Sequence, residues 1–157
     1  MLTLINISGE DRPGLTAKIA AMLSKFDAVI LDVGQAVIHD HLSLGLLVSL
    51  PENADHLEHQ IKQLGVGVKF GSVDVASYEN WVGVQGAGRH ILTLLARRIS
   101  ASHLADVSEI ISDSGLNIDN ITRLSGRVPI SDRATEKASP SKPAGLLRYL
   151  QELVGSS

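Results

Sequence analysis

The sequence predicts an α+β fold of the ferredoxin-like type, with strands and helices in the order βαββαβ. Within residues 1–78, four segments have the apolar alternation or density of strands, and two segments repeat apolar residues every three or four positions, as amphipathic helices do. The pattern then begins again, because one constant offset places Leu4 on Leu92, Ile19 on Val107 and Ile30 on Ile118. We therefore expect two such units in tandem, the second of them incomplete.

The first strand leads into the first helix through a turn at residues 8–15. The apolar residues of these two elements are Leu2, Leu4, Ile5, Ile7, Leu15, Ile19, Leu23 and Phe26. Pro13 suits the first helical position because its ring fixes φ and because it lacks the N–H that would stay unpaired there. The free N–H groups of that first turn favour a small carboxylate, and Gly14 lets a ligand approach the backbone. A simpler interpretation is that these residues only start a helix well.

The other elements of the first unit follow in order. Residues 29–38 are β-branched and nearly all apolar, which predicts a second strand that is covered on both faces. After a turn at residues 39–41, residues 42–50 alternate and predict an antiparallel third strand. A helix over residues 54–64 ends at Gly65, and residues 66–75 supply the fourth strand.

The second half of the chain repeats only part of this pattern. We assign residues 1–78 to the first unit, 79–88 to a glycine-rich linker that contains Trp81, and 89–157 to a partial second unit. In the second unit, the offset predicts a strand over residues 90–97, a helix through Leu104 and Ile111, and a strand over residues 116–128. Residues 129–143 are polar and contain proline, so they cannot form a core strand, and a short helix follows at residues 146–154.

The composition excludes several classes of protein. With a net charge of −3 and 3% aromatic residues, the chain lacks both the basic surface and the stacking side chains of a nucleic-acid-binding protein. No apolar run approaches the ~20 residues that span a bilayer, which argues against a membrane protein. The absence of cysteine excludes disulfides and thiol catalysis, and it makes the cytoplasm the expected location.

The sequence shows no arrangement of catalytic or metal-binding residues. Phosphatases of the haloacid-dehalogenase type need an aspartate nucleophile with a second aspartate two positions later, and no two aspartates here have that spacing. The G-x-S-x-G elbow and the phosphate-binding loop pattern are absent as well. His39 and His41, or His56 and His59, are spaced so that a metal could use them, but no carboxylate completes a known site. We expect surface histidines and no metal.

Two stretches of each unit resemble a known family. Residues 9–15 after the first strand and residues 30–35 in the second resemble the ACT domain, a ligand-binding regulatory module of the split βαβ fold. Residues 94–98 and 115–127 resemble the tandem ACT region in front of the phosphatase domain of bacterial phosphoserine phosphatases. The likeness covers residues 1–128, and the catalytic domain of that family is missing from this sequence. Whether the chain belongs to an enzyme is therefore left open.

The resemblance implies an amino-acid-binding regulatory protein, the serine-sensing part of a phosphoserine phosphatase in L-serine biosynthesis. The ligand would be a small amino acid such as serine, held between ACT units without a cofactor, and only a phosphatase domain elsewhere would need Mg²⁺. The predicted ligand-binding residues are Asp11, Arg12, Pro13, Gly14, Leu15, Asp32, Gln35, Asn117 and Asn120. The alternative is a stand-alone ACT regulator that acts by protein contact, of the glycine-cleavage repressor type.

Asp32 is the predicted partner of the ligand's ammonium group. Strand alternation places it on the opposite face from Val29 and Val33, so that it points away from the helices and towards another sheet or a partner. A solvated aspartate on a strand edge is the simpler interpretation. Asn120 holds the equivalent place in the second unit and brings no charge, so the two sites would differ in preference.

The incomplete second unit predicts a homodimer through the ACT sheets. In the split βαβ sheet the spatial strand order is 4-1-3-2, so a missing third strand leaves the first and second strands with unpaired backbone edges. Either these two strands pair directly, or a second copy of the chain supplies the pairing. We expect the second units to meet, with residues 146–154 covering apolar surface.

Overall fold

The computed structural model describes residues 1–52, 54, 56–85, 88, 90–96 and 99–124. The chain divides into two compact units, Met1–His90 and Ile91–Ser157. The predicted helix at residues 146–154 and the polar stretch at 129–143 lie outside the described residues.

The first unit has the predicted βαββαβ order, followed by a third helix. Its strands are β1 (Leu2–Glu10), β2 (Val29–Ile38), β3 (His41–Ser49) and β4 (Gly67–Ser72), and its helices are α1 (Leu15–Ser24), α2 (Leu57–Lys62) and α3 (Val75–Gly83). The four strands form one antiparallel sheet in the order β2-β3-β1-β4, with β1 between β3 and β4. The ferredoxin-like fold predicted from the apolar pattern is confirmed for this unit.

The core of the first unit lies between one face of the sheet and helices α1 and α2. Strand alternation places every second residue of β1 and β3 on this face, and the helices supply apolar residues at three- and four-residue spacing. The fully buried members include Ile5, Ile7, Ile19, Leu23, Leu42, Val48, Leu57 and Ile61. The other face of the sheet, which we call the open face, carries residues such as Leu4 and Lys69 that α1 and α2 do not cover.

Strand β2 is not covered on both faces, so that prediction is wrong. Val29, Val33 and Ile38 expose 57%, 57% and 75% of their surface. The reason is position, because β2 is the edge strand of the sheet, next to β3 alone. A register shift between Ile30 and Asp32 also puts Val29 on the same face as Asp32, whereas simple alternation predicted opposite faces.

The segment predicted as a linker begins as a helix. Helix α3 extends to Gly83, and its N-terminus is capped by Asp74, whose carboxylate accepts a hydrogen bond of 3.0 Å from the Ser77 N–H. One turn apart on this helix, the rings of Tyr78 and Trp81 lie with their centroids 6.0 Å from each other. In the sequence, Asp74 was a signal for the start of this helix. The glycines after residue 82 favoured the interpretation as a linker instead.

In the second unit the predicted helix is confirmed as α4 (Ala101–Asp113). Ser100 caps it reciprocally with His103, since each side chain bonds the other residue's backbone N–H. The prediction of a strand on either side of α4 is wrong for the described residues, because residues 90–96 and 116–124 have no strand pairing. Without a third strand between them among the described residues, the two segments lack the partner that fills this place in the first unit.

Candidate ligand site at the first turn of α1

The start of α1 presents backbone donors that no side chain of the described residues satisfies. Gly14 is the residue before the helix and has a φ of 82°, a left-handed conformation that glycine adopts without a steric penalty. The Leu15 N–H donates to the Arg12 carbonyl at 3.1 Å, and the Lys18 N–H donates to the Gly14 carbonyl at 3.0 Å. Among the described residues, the N–H groups of Thr16 and Ala17 have no acceptor. Such donors, together with the helix dipole, favour an anion.

Gln35 brings a side-chain amide to the same turn. It lies on β2 opposite the buried Leu44, on the face of the sheet that carries the helices. The Thr16 hydroxyl donates to Oε1 of Gln35 at 2.8 Å. With its oxygen engaged, the amide presents its NH₂ group as a donor, and no described residue accepts from it. Thr16 was not predicted as a site residue, although a hydroxyl in the first helical turn was visible in the sequence.

The loop between β1 and α1 is fixed at two points. The Arg12 guanidinium donates to the Leu64 carbonyl, just beyond the C-terminal end of α2. The Asp11 N–H donates to the Asp40 carbonyl at 2.7 Å, in the turn between β2 and β3. Both bonds hold the loop to neighbouring elements. The contact that the structure shows for the Arg12 side chain is therefore one that anchors the loop.

Asp32 lies away from this turn. It stands opposite Leu47 on the open face, as predicted, and its carboxylate accepts a hydrogen bond of 2.9 Å from the Val33 N–H. Along β2 it precedes Gln35 by three residues, about 10 Å, and it faces the opposite side of the sheet. A molecule as small as serine therefore cannot contact the first turn of α1 and Asp32 of the same unit.

The predicted residues of the second unit do not reproduce the arrangement of the first. Asn117 and Asn120 are exposed, and they lie in a segment without strand pairing among the described residues. The Asn120 amide donates to the Thr122 hydroxyl at 3.2 Å. The expected equivalence between Asn120 and Asp32 depended on a second strand that the described residues do not form.

The histidines give a local electrostatic effect. Nδ1 of His39 lies 2.6 Å from Oδ1 of Asp40, and this hydrogen bond is the main reason why the pKa of Asp40 is below its usual value of 3.8. No group of three or more metal-ligating side chains is assembled within the part of the chain that the structure describes.

Comparison with known proteins agrees with the fold of the first unit. The family model of the ACT domain matches residues 2–70, which cover nearly all of the four-stranded sheet. This part of the chain, residues 2–70, belongs to the ACT-domain family.

Relatives of different length match parts of this chain. The chain is 29% identical over 123 residues to a phosphoserine phosphatase of Streptomyces coelicolor, a match that covers 77% of this chain and 30% of that protein. It is 32% identical over 85 residues to a UPF0237 protein of Pyrobaculum aerophilum, covering 49% of this chain and 93% of the relative. The chain thus spans 30% of the phosphatase's length, whereas about half of the chain spans nearly the whole UPF0237 protein.

A solved structure has the same fold over a longer stretch. A protein of unknown function from Galdieria sulphuraria superimposes with a TM-score of 0.51 at 12% identity, covering 73% of this chain and 64% of that one. This likeness concerns the fold alone. Among the described helices, none is both long enough and apolar enough to cross a membrane.

Proposed function

We propose that this chain is a regulatory protein that binds a small amino acid at the first turn of α1. The observation that carries the proposal is the group of unsatisfied donors at that turn, the Thr16 and Ala17 N–H groups and the Gln35 amide, among the described residues. ACT domains generally bind amino acids and dimerise, which supports this assignment. We propose that this chain, too, acts as a homodimer.

In this proposal the ligand's carboxylate accepts hydrogen bonds from the helix start and from the Gln35 amide. The negative charge of the carboxylate interacts favourably with the positive N-terminal end of α1, where free backbone N–H groups are available as donors. Gly14 contributes by leaving the approach clear, since a side-chain carbon added there would meet no atom within 4 Å. Gln35 contributes a donor whose orientation is fixed by Thr16.

The ammonium group needs an acceptor near the same turn. We assign this role to the carboxylate of Asp11, which lies on the loop that leads into α1. Asp32 lies on the opposite face of the sheet, so it cannot supply this acceptor in the same unit. Neither role requires a cofactor.

The preferred ligand is serine, and the preferred context is the control of a phosphoserine phosphatase. The similarity to the Streptomyces coelicolor enzyme supports this choice, because the matched region lies within that enzyme's longer chain. This sequence has no pair of aspartates at the spacing that such phosphatases use for catalysis. Its contribution would then be to sense the product rather than to make it, and Mg²⁺ would act only in a phosphatase domain.

A second candidate is a regulator that acts by protein contact. The observation that favours it is the edge strand β2, whose apolar residues Val29, Val33 and Ile38 are more than half exposed. An exposed strand edge of ten residues offers backbone groups to another chain.

A thermal-shift panel of the twenty amino acids distinguishes the two candidates. A ligand at 100 times its Kd stabilises the fold by ~2.7 kcal/mol, which is readily detected. We expect serine to give the largest shift, and Gln35→Ala to weaken binding by about tenfold, because one hydrogen bond to a charged group is lost. Gln63→Ala is the control, since the exposed Gln63, just after α2, has its one side-chain hydrogen bond among the described residues with His59. No shift with any amino acid, together with capture of a distinct protein partner, would favour the contact regulator.

A further inference from the structure

The open face of the first unit carries opposite charges at its two edges. Two neighbouring rows of residues cross the sheet from β2 to β4. One row holds Asp32, Leu47, Leu4 and Gly71, and the other holds Gly34, Gly45, Asn6 and Lys69. Asp32 therefore stands on the edge strand β2, and Lys69 on the opposite edge strand β4. Among the described residues, Lys69 makes no ion pair.

These rows are complementary to themselves under one two-fold rotation. The axis lies between two sheets stacked face to face, runs parallel to the strands, and passes over the gap between β1 and β3. The rotation places β2 of one copy over β4 of the other, and β3 over β1, and each row stays at the same height along the strands. Leu47 then faces Leu4 of the partner subunit, and Asp32 and Lys69 face glycines, Gly71 and Gly34 of the partner subunit. Each charged side chain thus has room to extend across the interface.

The distances allow the charges to meet. Packed sheets lie about 10 Å apart, and Asp32 and the partner's Lys69 are offset by two residues, or about 7 Å, along the strands. A lysine and an aspartate side chain together reach across this separation. Within one copy, by contrast, Asp32 and Lys69 are three strand spacings apart, about 14 Å, so they cannot pair.

A second pair of polar side chains at the end of the sheet agrees with the same axis. Glu10 at the end of β1 lies opposite His41 of β3 on the open face. The rotation places Glu10 over His41 of the partner subunit and His41 over the partner's Glu10. An acidic group thus faces a possible donor at each of these positions as well, rather than a second acidic group.

We propose that a second copy of this chain docks on the open face, sheet against sheet, with reciprocal ion pairs between Asp32 and Lys69. Leu4, which is 40% exposed in the single chain, and the half-buried Leu47 form the apolar centre of the contact. The inference rests on the proposed homodimer and names its surface. It is separate from the ligand site, which lies on the helix-covered side of the sheet.

Charge exchange tests this surface. The association of the full chain is measured by sedimentation equilibrium for the wild type, Asp32→Lys, Lys69→Asp and the double variant. We expect each single change to weaken dimerisation by at least about tenfold, because two ion pairs become two repulsions. The double variant should recover most of the loss. Glu58→Lys, an equal charge reversal on α2, should leave the dissociation constant unchanged, and circular dichroism verifies that all variants fold.

Each result decides between the proposals. Weaker dimerisation in both single variants, followed by recovery in the double variant, supports the sheet-to-sheet contact, because the two residues cannot interact within one copy. A dimer that is insensitive to the single changes, or that is not restored by the double change, overturns this surface and leaves the homodimer to another part of the chain. A wild-type chain that stays monomeric at every concentration overturns both the surface and the homodimer, but not amino-acid binding.

Discussion

Asp32 and Gln35 lie three residues apart on β2 and face opposite sides of the sheet. Asp32 stands opposite Leu47 on the open face, whereas Gln35 stands opposite the buried Leu44 and accepts a hydrogen bond from Thr16. One strand therefore carries a residue of each proposed surface, Gln35 at the proposed ligand site and Asp32 on the proposed docking face. Substitutions at the two residues can be examined separately, because neither side chain contacts the other's surface.

Gly14 should tolerate alanine poorly for a reason of backbone conformation alone. An added Cβ would meet no atom within 4 Å, but φ is +82°, where an L-residue is strained. We expect Gly14→Ala to lower the free energy of unfolding by about 1 kcal/mol in urea denaturation. Gly83→Ala at the end of α3, where space is also open and φ is ordinary, should instead stabilise the protein by up to about 1 kcal/mol. Equal effects of the two substitutions would contradict this assignment.

Arg12 should contribute to stability through its bond to the Leu64 carbonyl. Arg12→Ala removes a charged donor from the end of α2, and we expect a loss of about 1 kcal/mol in the free energy of unfolding. Lys62→Ala breaks the half-exposed ion pair between Lys62 and Glu58 in the same helix, and it should cost only about 0.3–0.5 kcal/mol. If Arg12→Ala costs no more than Lys62→Ala, the Arg12 bond does not anchor the loop in solution.

The sequence predicts most of the first unit because local patterns and tertiary packing agree there. Alternation in residues 42–50 and the apolar repeats of α1 and α2 correspond to the residues that are buried. The position of β2 at the edge of the sheet could not be predicted in this way, because a central strand and an edge strand can both have an apolar sequence. The register shift at Ile30 and Asp32 likewise leaves no local signal, because it depends on pairing with β3.

The second unit and the site show the limits of local patterns in two further ways. Residues 90–96 have a strand-like sequence, yet a strand needs a partner, and none is paired with them among the described residues. At the candidate site, the loop at Asp11–Leu15 was predicted from its turn residues. The contact between Thr16 and Gln35 joins residues far apart in the chain, so only the folded structure brings it out.

Asp40 should titrate at lower pH than an ordinary aspartate. Its pKa is lowered mainly by the hydrogen bond from His39, so the folded state holds the carboxylate more strongly charged than the unfolded state does. The resulting stabilisation is complete above the usual value of 3.8 and is lost as the pH falls through the folded-state pKa. Carbon NMR of the Asp40 carboxyl group should show a midpoint below 3.8.

His39→Gly provides the control for Asp40, because glycine accepts the positive φ of 59° at this position and removes the imidazole. In this variant the midpoint for Asp40 should move upward, towards 3.8. An unchanged midpoint would mean that His39 is not the cause of the low pKa.

Amino-acid binding at the first turn of α1 is tested most directly by titrating L-serine into ¹⁵N-labelled protein and following the amide resonances. We predict saturable shifts that are largest for the Thr16 and Ala17 backbone N–H groups and for the Gln35 side-chain NH₂, and that are strongly reduced in Gln35→Ala. Resonances around Asp32, on the opposite face of the sheet, should move little. The absence of saturable shifts at Thr16, Ala17 and Gln35, or shifts centred on Asp32 instead, would contradict the proposed site.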